Sequence, residues 1–224
     1  MKVLLIGEEN RRLEMVKCLP ENTETIQADI AYEVDLSTIP NYDVVFDLNA
    51  DEDTYLIDEY PYEKPVTIIA SAVKSSLAEM IEAIDYEGGI YGMNCLPTFI
   101  NRPLKEVSVY NTSDVPKLRD LMEKLGWEYQ LVNDRVGMVT PRVVCMIINE
   151  ACFTVQEGTA NIVDIDKSMK LGTAYPYGPF KWADKIGVKD VYEVIEALYA
   201  DTGDERYKIC PMLKNHYLKD KTFY

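Results

Sequence analysis

The sequence predicts an α/β fold in two parts: a doubly wound, mostly parallel sheet followed by an all-α domain. Two observations lead to this prediction. Strand-like and helix-like segments alternate over the first part of the chain, which is typical of βαβ units with helices on both faces of a sheet. From Gly137 onward the segments are helical only. We therefore expect two domains, residues 1–136 and residues 137–224.

The predicted strands of the first domain are short, largely apolar runs bounded by turn residues. In chain order they are Lys2–Ile6, Glu24–Ala28, Val44–Leu48, Val66–Ala70, Gly89–Met93, Glu106–Tyr110 and Tyr129–Val132. Helices are predicted at Ser75–Ile84 and Val115–Leu125. The second helix follows a Thr-Ser-Asp run and ends before Gly126, and these residues are helix start and stop signals.

The second domain begins with the run "VVCMIINEACFTVQEG", which is apolar around nearly its whole circumference. This pattern predicts a buried helix that ends at Gly158. Three more helices are predicted after it, in the segments "IVDIDKSMKLG", "GPFKWADKIG" and "VKDVYEVIEALYADTG". The last of these has apolar residues at helical spacing.

Composition excludes several classes of function. The net charge of −15, with no basic patch, argues against a nucleic-acid partner. No apolar run approaches the ~20 residues of a membrane span, and the chain does not open with a signal peptide. The five cysteines are an odd number without C-x-x-C spacing, so neither a disulfide framework nor a metal site is indicated. We expect a soluble, cytoplasmic protein.

The chain opens with "MKVLLIGEENRRLEM", in which an apolar strand ends at Gly7 and turns directly into a helix. A Rossmann-like dinucleotide-binding domain begins in this way, with a G-x-G-x-x-G loop whose backbone meets the pyrophosphate. Here the second and third glycine positions hold Glu9 and Arg12. We expect Glu8 and Glu9 to occupy the positive end of the helix dipole in place of a ligand. Arg11 or Arg12 could hold a phosphate, but with Glu8 and Glu14 nearby on the helix we favour a solvated, ion-paired face.

Asp29 follows the second predicted strand at about the distance of a carboxylate that binds the ribose of a dinucleotide. An ordinary turn residue would give the same pattern. Gly7 and Asp29 are therefore the candidate cofactor-binding residues, and the altered loop predicts that dinucleotide binding is lost.

Several motifs of the helical part occur together in one known family. They are Asn149-Glu150-Ala151 on the buried helix, D-I-D-x-x-M-x-L-G at Asp164–Gly172, Y-P-x-G-P-F at Tyr175–Phe180, A-D-x-I-G at Ala183–Gly187 and a "KTFY" ending similar to K-T-G-x-G-F-Y. In these motifs the chain resembles the C-terminal domain of the 3-hydroxyacyl-CoA dehydrogenases.

This resemblance implies a function in fatty acid metabolism. In the family, a histidine oriented by a glutamate acts as general base on the 3-hydroxyl, a serine and an asparagine polarise the substrate oxygen, and NAD accepts the hydride. The resemblance also implies a homodimer formed through the helical domain. The apolar stretch Val143–Val155 would either contribute to that interface or fill the core of its own protomer.

The segment "GMNCLPTFINRPLKEV" aligns without gaps with the family's G-M-H-F-F-N-P-V-P-V-M-K-L-V-E-V. Asn94 then stands at the position of the histidine, and Glu106 at that of its partner glutamate. An asparagine amide forms hydrogen bonds but takes up no proton near neutral pH. His216, the one histidine of the chain, lies in "LKNHYLKDK", which is predicted to be a surface-like amphipathic tail.

The family's serine and asparagine positions are also altered. "SAVKSSLAEM" resembles S-N-T-S-S-L, and the catalytic serine falls on Ser75 when Ser-Ser-Leu is aligned or on Lys74 when Ser71 is aligned. We favour Ser75, although a serine that opens a helix is commonly an N-cap. "GMVTPRVV" resembles G-F-I-V-N-R-L-L and puts Pro141 in place of the asparagine. Ser75, Asn94 and Glu106 are thus the candidate catalytic positions of a degenerate site.

Two further segments bear on ligands and partners. Ile30–Asp43 is short and contains proline, which leaves no room for the long helical excursion that the family associates with acyl-CoA. The acidic, tyrosine-rich segment 51–63 is predicted to be either a partner contact or a solvated helix and loop.

Three functions follow from these residues. The leading hypothesis is a pseudoenzyme of the family that needs no cofactor and binds an acyl-CoA-like ligand or a partner protein. The second is an active NAD-dependent 3-hydroxyacyl-CoA dehydrogenase with a rebuilt site. The third is a different enzyme that uses Lys74, Cys95 or Glu106, although Cys95 is also interpreted as a small buried hydrophobe.

Overall fold

The computed structural model describes residues 1–29, 34–52, 66–81 and 88–224. The chain divides into two compact units, Met1–Met138 and Val139–Tyr224. The border predicted between residues 136 and 137 lies two residues before this division.

The first unit contains a seven-stranded sheet in the order β2-β1-β3-β4-β5-β6-β7. Neighbouring strands are parallel except for the antiparallel pair β5–β6. The prediction of seven strands is confirmed, with ends shifted by at most two residues. The strands are β1 (Lys2–Ile6), β2 (Glu24–Ala28), β3 (Val44–Asp47), β4 (Thr67–Ser71), β5 (Ile90–Met93), β6 (Leu104–Val109) and β7 (Glu128–Leu131).

The order of the strands defines where a ligand crevice would lie. β2 and β3 pair on opposite sides of β1, so the chain changes direction across the sheet between these two strands. In open parallel sheets the crevice opens at such a switch point, outside the carboxyl ends of the strands. The carboxyl ends of β1, β3, β4 and β5 are therefore the region that bears on function.

The sheet is held by an apolar core on the face covered by α3 (Val115–Leu125). The central strands β1, β3, β4 and β5 are nearly continuous buried runs, as expected of strands covered on both faces. Members of this core include Leu5, Phe46, Ile69, Met93, Val107, Leu118 and Met122. The predicted end of α3 is confirmed, since Gly126 adopts a left-handed φ of 69°. Beyond it, the indole N–H of Trp127 donates to the carbonyl of Cys18 at 2.8 Å.

Two shorter helices of the first unit follow β1 and β4. They are α1 (Glu9–Val16) and α2 (Leu77–Met80). The helix was predicted at Ser75–Ile84, and its predicted end, Ile84, lies outside the described residues. Ser76, not Ser75, is the N-cap of α2, and it forms a capping box with Glu79. The interpretation of Ser75 as an N-cap is therefore wrong.

Other connections of this unit are partly described. Short 3₁₀ helices cover Leu36–Asn41 and Thr112–Asp114. Residues 30–33 of the short segment 30–43, and residues 53–63 of the acidic, tyrosine-rich segment, lie outside the described residues.

The second unit is all-α, as predicted. Its helices are α4 (Thr140–Gln156), α5 (Ile162–Gly172), α6 (Pro179–Ile186), α7 (Val188–Thr202) and α8 (Pro211–Leu218), with a 3₁₀ turn at Glu205–Tyr207. The expectation that α4 is buried all round is wrong, because Val143 is 52% exposed. The opposite face, which includes Val144, Ile148 and Cys152, is buried and fills the core of this unit.

The C-terminal segment, predicted to be a surface-like amphipathic tail, packs against the rest of the second unit. Leu213 of α8 is fully buried, and the His216 ring stacks on that of Phe223 at 4.3 Å between centroids. Phe223 also packs edge-on against Phe180. None of the helices in the described ranges is long and apolar enough to cross a membrane.

Two of the sequence motifs of this unit, D-I-D and Y-P-x-G-P-F, form a cap at the start of α6. The Asp166 carboxylate accepts hydrogen bonds from the backbone N–H groups of Phe180 (2.8 Å) and Lys181 (3.1 Å) at the start of α6, and from the Tyr224 hydroxyl (3.0 Å). Gly178 permits this approach, since a Cβ there would lie 2.3 Å from Asp166 Cγ. The D-I-D and Y-P-x-G-P-F motifs thus meet in one buried contact.

A buried amide performs a similar task beside α8. The Asn149 side chain accepts from the Cys210 N–H at 2.8 Å and donates to the Lys208 carbonyl at 2.9 Å. Asp184 accepts the N–H groups of Phe223 and Tyr224. Each of these side chains satisfies backbone groups that would otherwise lose their hydrogen bonds on burial.

We expect Asp166→Ala to destabilise the protein by ~2–4 kcal/mol, because it removes the cap of α6 and leaves buried donors unpaired. Urea unfolding followed by circular dichroism measures the change. Glu150→Ala, which removes an exposed carboxylate from α4, serves as the control and should change the stability by less than ~0.5 kcal/mol. Equal stability of the two variants would contradict the capping role.

Candidate functional site at the carboxyl ends of the parallel strands

The turn from β1 to α1 is closed by a side chain from the segment that follows β3. The Asn49 Oδ1 atom accepts the backbone N–H of Glu8 at 2.9 Å. Gly7 has a φ of 136°, and a Cβ on it would lie 2.5 Å from that oxygen. Gly7 therefore provides the close approach that a phosphate would need, but the approach is made by Asn49.

A second donor at the start of α1 is also used internally. The backbone N–H of Arg11 donates to the Asn10 Oδ1 atom at 2.7 Å. Glu8 stands at the N-cap position, yet its carboxylate forms no capping hydrogen bond and lies 3.8 Å from Arg11 Nε. Glu8 at the N-cap and Glu9 in the first turn thus lie at the positive end of the helix dipole, as expected, although Glu8 adds no side-chain capping hydrogen bond.

Arg11 is the main departure from the sequence prediction. Its side chain is 0% exposed, so the expected solvated face is wrong for this residue. Its Nη1 atom donates to the Leu48 carbonyl at 2.6 Å, and its Nη2 atom to Glu52 Oε1 at 2.9 Å. A buried guanidinium requires such partners because an unpaired buried charge is strongly destabilising.

The same Glu52 oxygen receives two more donors. Lys74 Nζ lies 2.9 Å from it and Asn49 Nδ2 lies 3.0 Å from it. The Lys74 side chain is only 7% exposed. We call Arg11, Asn49, Glu52 and Lys74 the Glu52 cluster. It joins the segments that follow β1, β3 and β4.

Asp51 reinforces this arrangement beside the Glu52 cluster. It is 7% exposed, and its Oδ2 atom accepts the backbone N–H groups of Val73 and Lys74, both at 2.8 Å. These bonds tie the segment after β3 to the segment after β4, which carries the Ser75 position.

Asp29 is engaged at the other side of β1. Its carboxylate forms an ion pair with the guanidinium of Arg12. The group predicted to bind a ribose hydroxyl is thus hydrogen-bonded to a side chain of α1.

Asn94 and Glu106 are brought together as neighbours on adjacent strands. The antiparallel register of β5 and β6 pairs Met93 with Val107, and the Asn94 N–H donates to the Glu106 carbonyl at 3.2 Å. Asn94 is 5% exposed, and its Oδ1 atom accepts the Leu96 N–H at 3.3 Å. The two candidate catalytic positions are thus neighbours across the β5–β6 pair.

Ser75 lies at the same edge, after β4, but its hydroxyl is directed to a neighbouring carboxylate. It donates to Glu79 Oε2 at 2.8 Å. The start of α2 is also satisfied from a distance, because Asp134 accepts the N–H groups of Leu77 (2.8 Å) and Ala78 (2.9 Å). Pro141 belongs to the second unit, where it lies in the first turn of α4 and offers no side-chain hydrogen bond.

Cys95 has the environment of a structural thiol. It is fully buried, and burial raises its pKa, with the nearby carboxylate of Asp51 adding to the effect. The thiolate, which is the nucleophile, is therefore disfavoured.

Sequence reasoning missed Asn49, Asp51 and Glu52. The signal was the polar run "DLNADE" directly after the apolar strand β3, since side chains in this position face the ligand crevice of a parallel sheet.

The comparisons with known proteins agree with this architecture. Residues 137–222 match the family described as 3-hydroxyacyl-CoA dehydrogenase, C-terminal domain. A probable 3-hydroxybutyryl-CoA dehydrogenase of Bacillus subtilis is 34% identical over 156 residues, which are 68% of this chain and 54% of that protein. A 3-hydroxybutyryl-CoA dehydrogenase of Bradyrhizobium diazoefficiens is 30% identical over 154 residues, or 67% and 53% of the two chains. The chain thus spans about half the length of these relatives.

Solved structures show the same fold. The (S)-3-hydroxybutyryl-CoA dehydrogenase of Ralstonia eutropha superposes with a TM-score of 0.70 over 98% of this chain and 94% of that chain, at 19% identity. M. tuberculosis FadB2 gives a TM-score of 0.75 over 99% and 97% of the two chains, at 14% identity. A Rossmann-like α/β sheet followed by a helical domain of this kind is the architecture of these proteins. The chain belongs to the 3-hydroxyacyl-CoA dehydrogenase family.

Proposed function

We propose that this chain is a catalytically impaired member of its family, a pseudoenzyme that does not use NAD. The observation that carries the proposal is that donors at the start of α1 are bound by Asn49 and Asn10, close to the two acidic side chains Glu8 and Glu9. A pyrophosphate would have to break these bonds and approach the carboxylates. The residues present do not fit the phosphates of a dinucleotide.

The substitution at the base position supports the same proposal. General-base assistance typically contributes ~10²–10⁴ to a rate, and an asparagine does not provide it. Asn94 lies beside Glu106 across the β5–β6 pair, so the position lacks the proton affinity of a base although the neighbouring carboxylate residue is present.

The second candidate is an active NAD-dependent 3-hydroxyacyl-CoA dehydrogenase. The observation in its favour is that Ser75 follows β4, Asn94 follows β5 and Glu106 lies in β6, so the three residues belong to adjacent strands, as those of a catalytic set would. This function requires a replacement base and a different phosphate contact. The Glu52 cluster offers neither while its donors are hydrogen-bonded to Glu52.

The retained scaffold supports binding in place of catalysis. We propose that the chain forms a homodimer through its helical unit and binds an acyl-CoA-like ligand or a protein partner in fatty acid metabolism. Val163 and Leu171, both on α5, are among the most exposed large apolar side chains of the described residues, at 62% and 73%. A second copy would cover such a surface.

Calorimetric titration with NADH at low salt tests the proposed function. We expect no saturable heat up to millimolar concentration, together with no NADH oxidation in the presence of acetoacetyl-CoA. An active 3-hydroxybutyryl-CoA dehydrogenase measured in the same buffer is the positive control. Micromolar binding would refute the proposal and favour the second candidate.

Sedimentation velocity tests the proposed homodimer. We expect the wild type to sediment as a dimer, and Val163→Asp with Leu171→Asp to shift it to monomer, because a charge buried in an apolar interface is strongly unfavourable. Leu218→Asp, at a residue of α8 that is 68% exposed, is the control and should remain dimeric. A wild-type monomer would rule out the dimer.

Alkylation separates these proposals from a thiol enzyme. Iodoacetamide should label the half-buried Cys18 at least about tenfold faster than Cys95 in the native protein, because a buried neutral thiol reacts slowly. All five cysteines should react in denaturant, as read by peptide mass mapping. Rapid native labelling of Cys95 would instead support catalysis by that residue.

A further inference from the structure

The Glu52 cluster concentrates three hydrogen-bond donors on one carboxylate oxygen. The Arg11 guanidinium, the Lys74 ammonium and the Asn49 amide all lie 2.9–3.0 Å from Glu52 Oε1. Both cations are almost fully buried, with side-chain exposures of 0% and 7%. Glu52 itself is 21% exposed.

This donor set has the chemistry of an oxyanion site. A guanidinium fork, an ammonium and an amide are the groups that bind phosphate and similar anions through charge-assisted hydrogen bonds. The donors come from the segments after β1, β3 and β4, at the switch point of the sheet, where folds of this kind hold the phosphates of their ligands. The anion held here is a side chain of the protein.

We propose that the Glu52 cluster is an oxyanion-binding site in which the Glu52 carboxylate replaces a bound phosphate. The side chain supplies the negative charge that the two buried cations require, so the edge of the sheet is complete without a ligand. This inference deepens the proposed function and rests on it, because a chain that bound NAD at this edge would direct these cations to the pyrophosphate.

The presence of the Glu52 carboxylate in the place of a phosphate has a thermodynamic consequence. Removing the charge of Glu52 leaves the Arg11 and Lys74 cations without their shared anion, which destabilises the folded state. An external oxyanion that enters the cluster then stabilises the folded state in proportion to the logarithm of its concentration. The wild type lacks this response because its own carboxylate already occupies the position.

Thermal unfolding of Glu52→Gln with inorganic phosphate tests the proposal. We expect the Tm of the variant to fall by roughly 5–10 °C. About 20 mM phosphate, at an ionic strength held constant with KCl, should restore at least half of the loss. Glu123→Gln is the matched control, since it makes the same change of charge at an exposed position of α3. Its small phosphate response, and that of the wild type, measure the general effect of the anion on the protein.

A second variant keeps the test informative if Glu52→Gln folds poorly. Glu52→Gln with Lys74→Met removes one cation together with the carboxylate, so it should be more stable than the single variant and should lose the phosphate response. If the single variant unfolds in the absence of phosphate, its refolding yield against phosphate gives the same comparison.

The outcomes separate the two proposals. A phosphate shift in Glu52→Gln no larger than that in Glu123→Gln would overturn the oxyanion site and leave the proposed function standing. NADH binding by the wild type would overturn the proposed function, whatever the variants show.

Discussion

The buried guanidinium of Arg11 is the charge around which the carboxyl edge of the sheet is arranged. A full positive charge without contact to water must be paired, since a single unpaired charge in the interior destabilises a fold by several kcal/mol. Its partners, Leu48 and Glu52, both lie in the segment after β3. Burying Arg11 therefore fixes that segment over the start of α1, and Asn49 is carried into contact with the β1–α1 turn.

The two units differ in the hydrogen bonds that single polar side chains form with the backbone. Asp166 and Asn149 satisfy buried backbone groups from distant segments, and Asp184 accepts the partly buried N–H of Phe223, so their loss would leave those groups unpaired. In the first unit, the Asn94 N–H donates to the Glu106 carbonyl and the Asn94 amide oxygen accepts the Leu96 N–H. Under the proposed function, the helical unit keeps the side chains that cap its buried backbone, while the candidate catalytic positions serve no chemistry.

The fold was accessible from sequence because its determinants are local. Each strand is an apolar run, and α3 ends at Gly126 because that residue adopts a left-handed conformation. The Glu52 cluster was not accessible, because its members are distant in the chain: Arg11 and Glu52 are 41 positions apart. The helix of Arg11, read alone, offers Glu8 and Glu14 as partners and so suggests a solvated face. The exposure of Val143 could not be predicted either. The apolar pattern of α4 does not reveal which of its faces packs against other helices.

The internal ion pairs also change what the edge of the sheet depends on. In a nucleotide-binding domain, ligand phosphates satisfy the donors at the switch point, so the folded state gains stability only when ligand is present. Here the Glu52 carboxylate and the Asn49 amide supply the same hydrogen bonds from within the chain. The stabilisation becomes independent of ligand concentration, and a negatively charged cofactor must now compete with groups held at high effective concentration by the fold. Under the proposed function, the altered loop and the buried Arg11 act together, because the carboxylate that pairs the arginine also repels a phosphate.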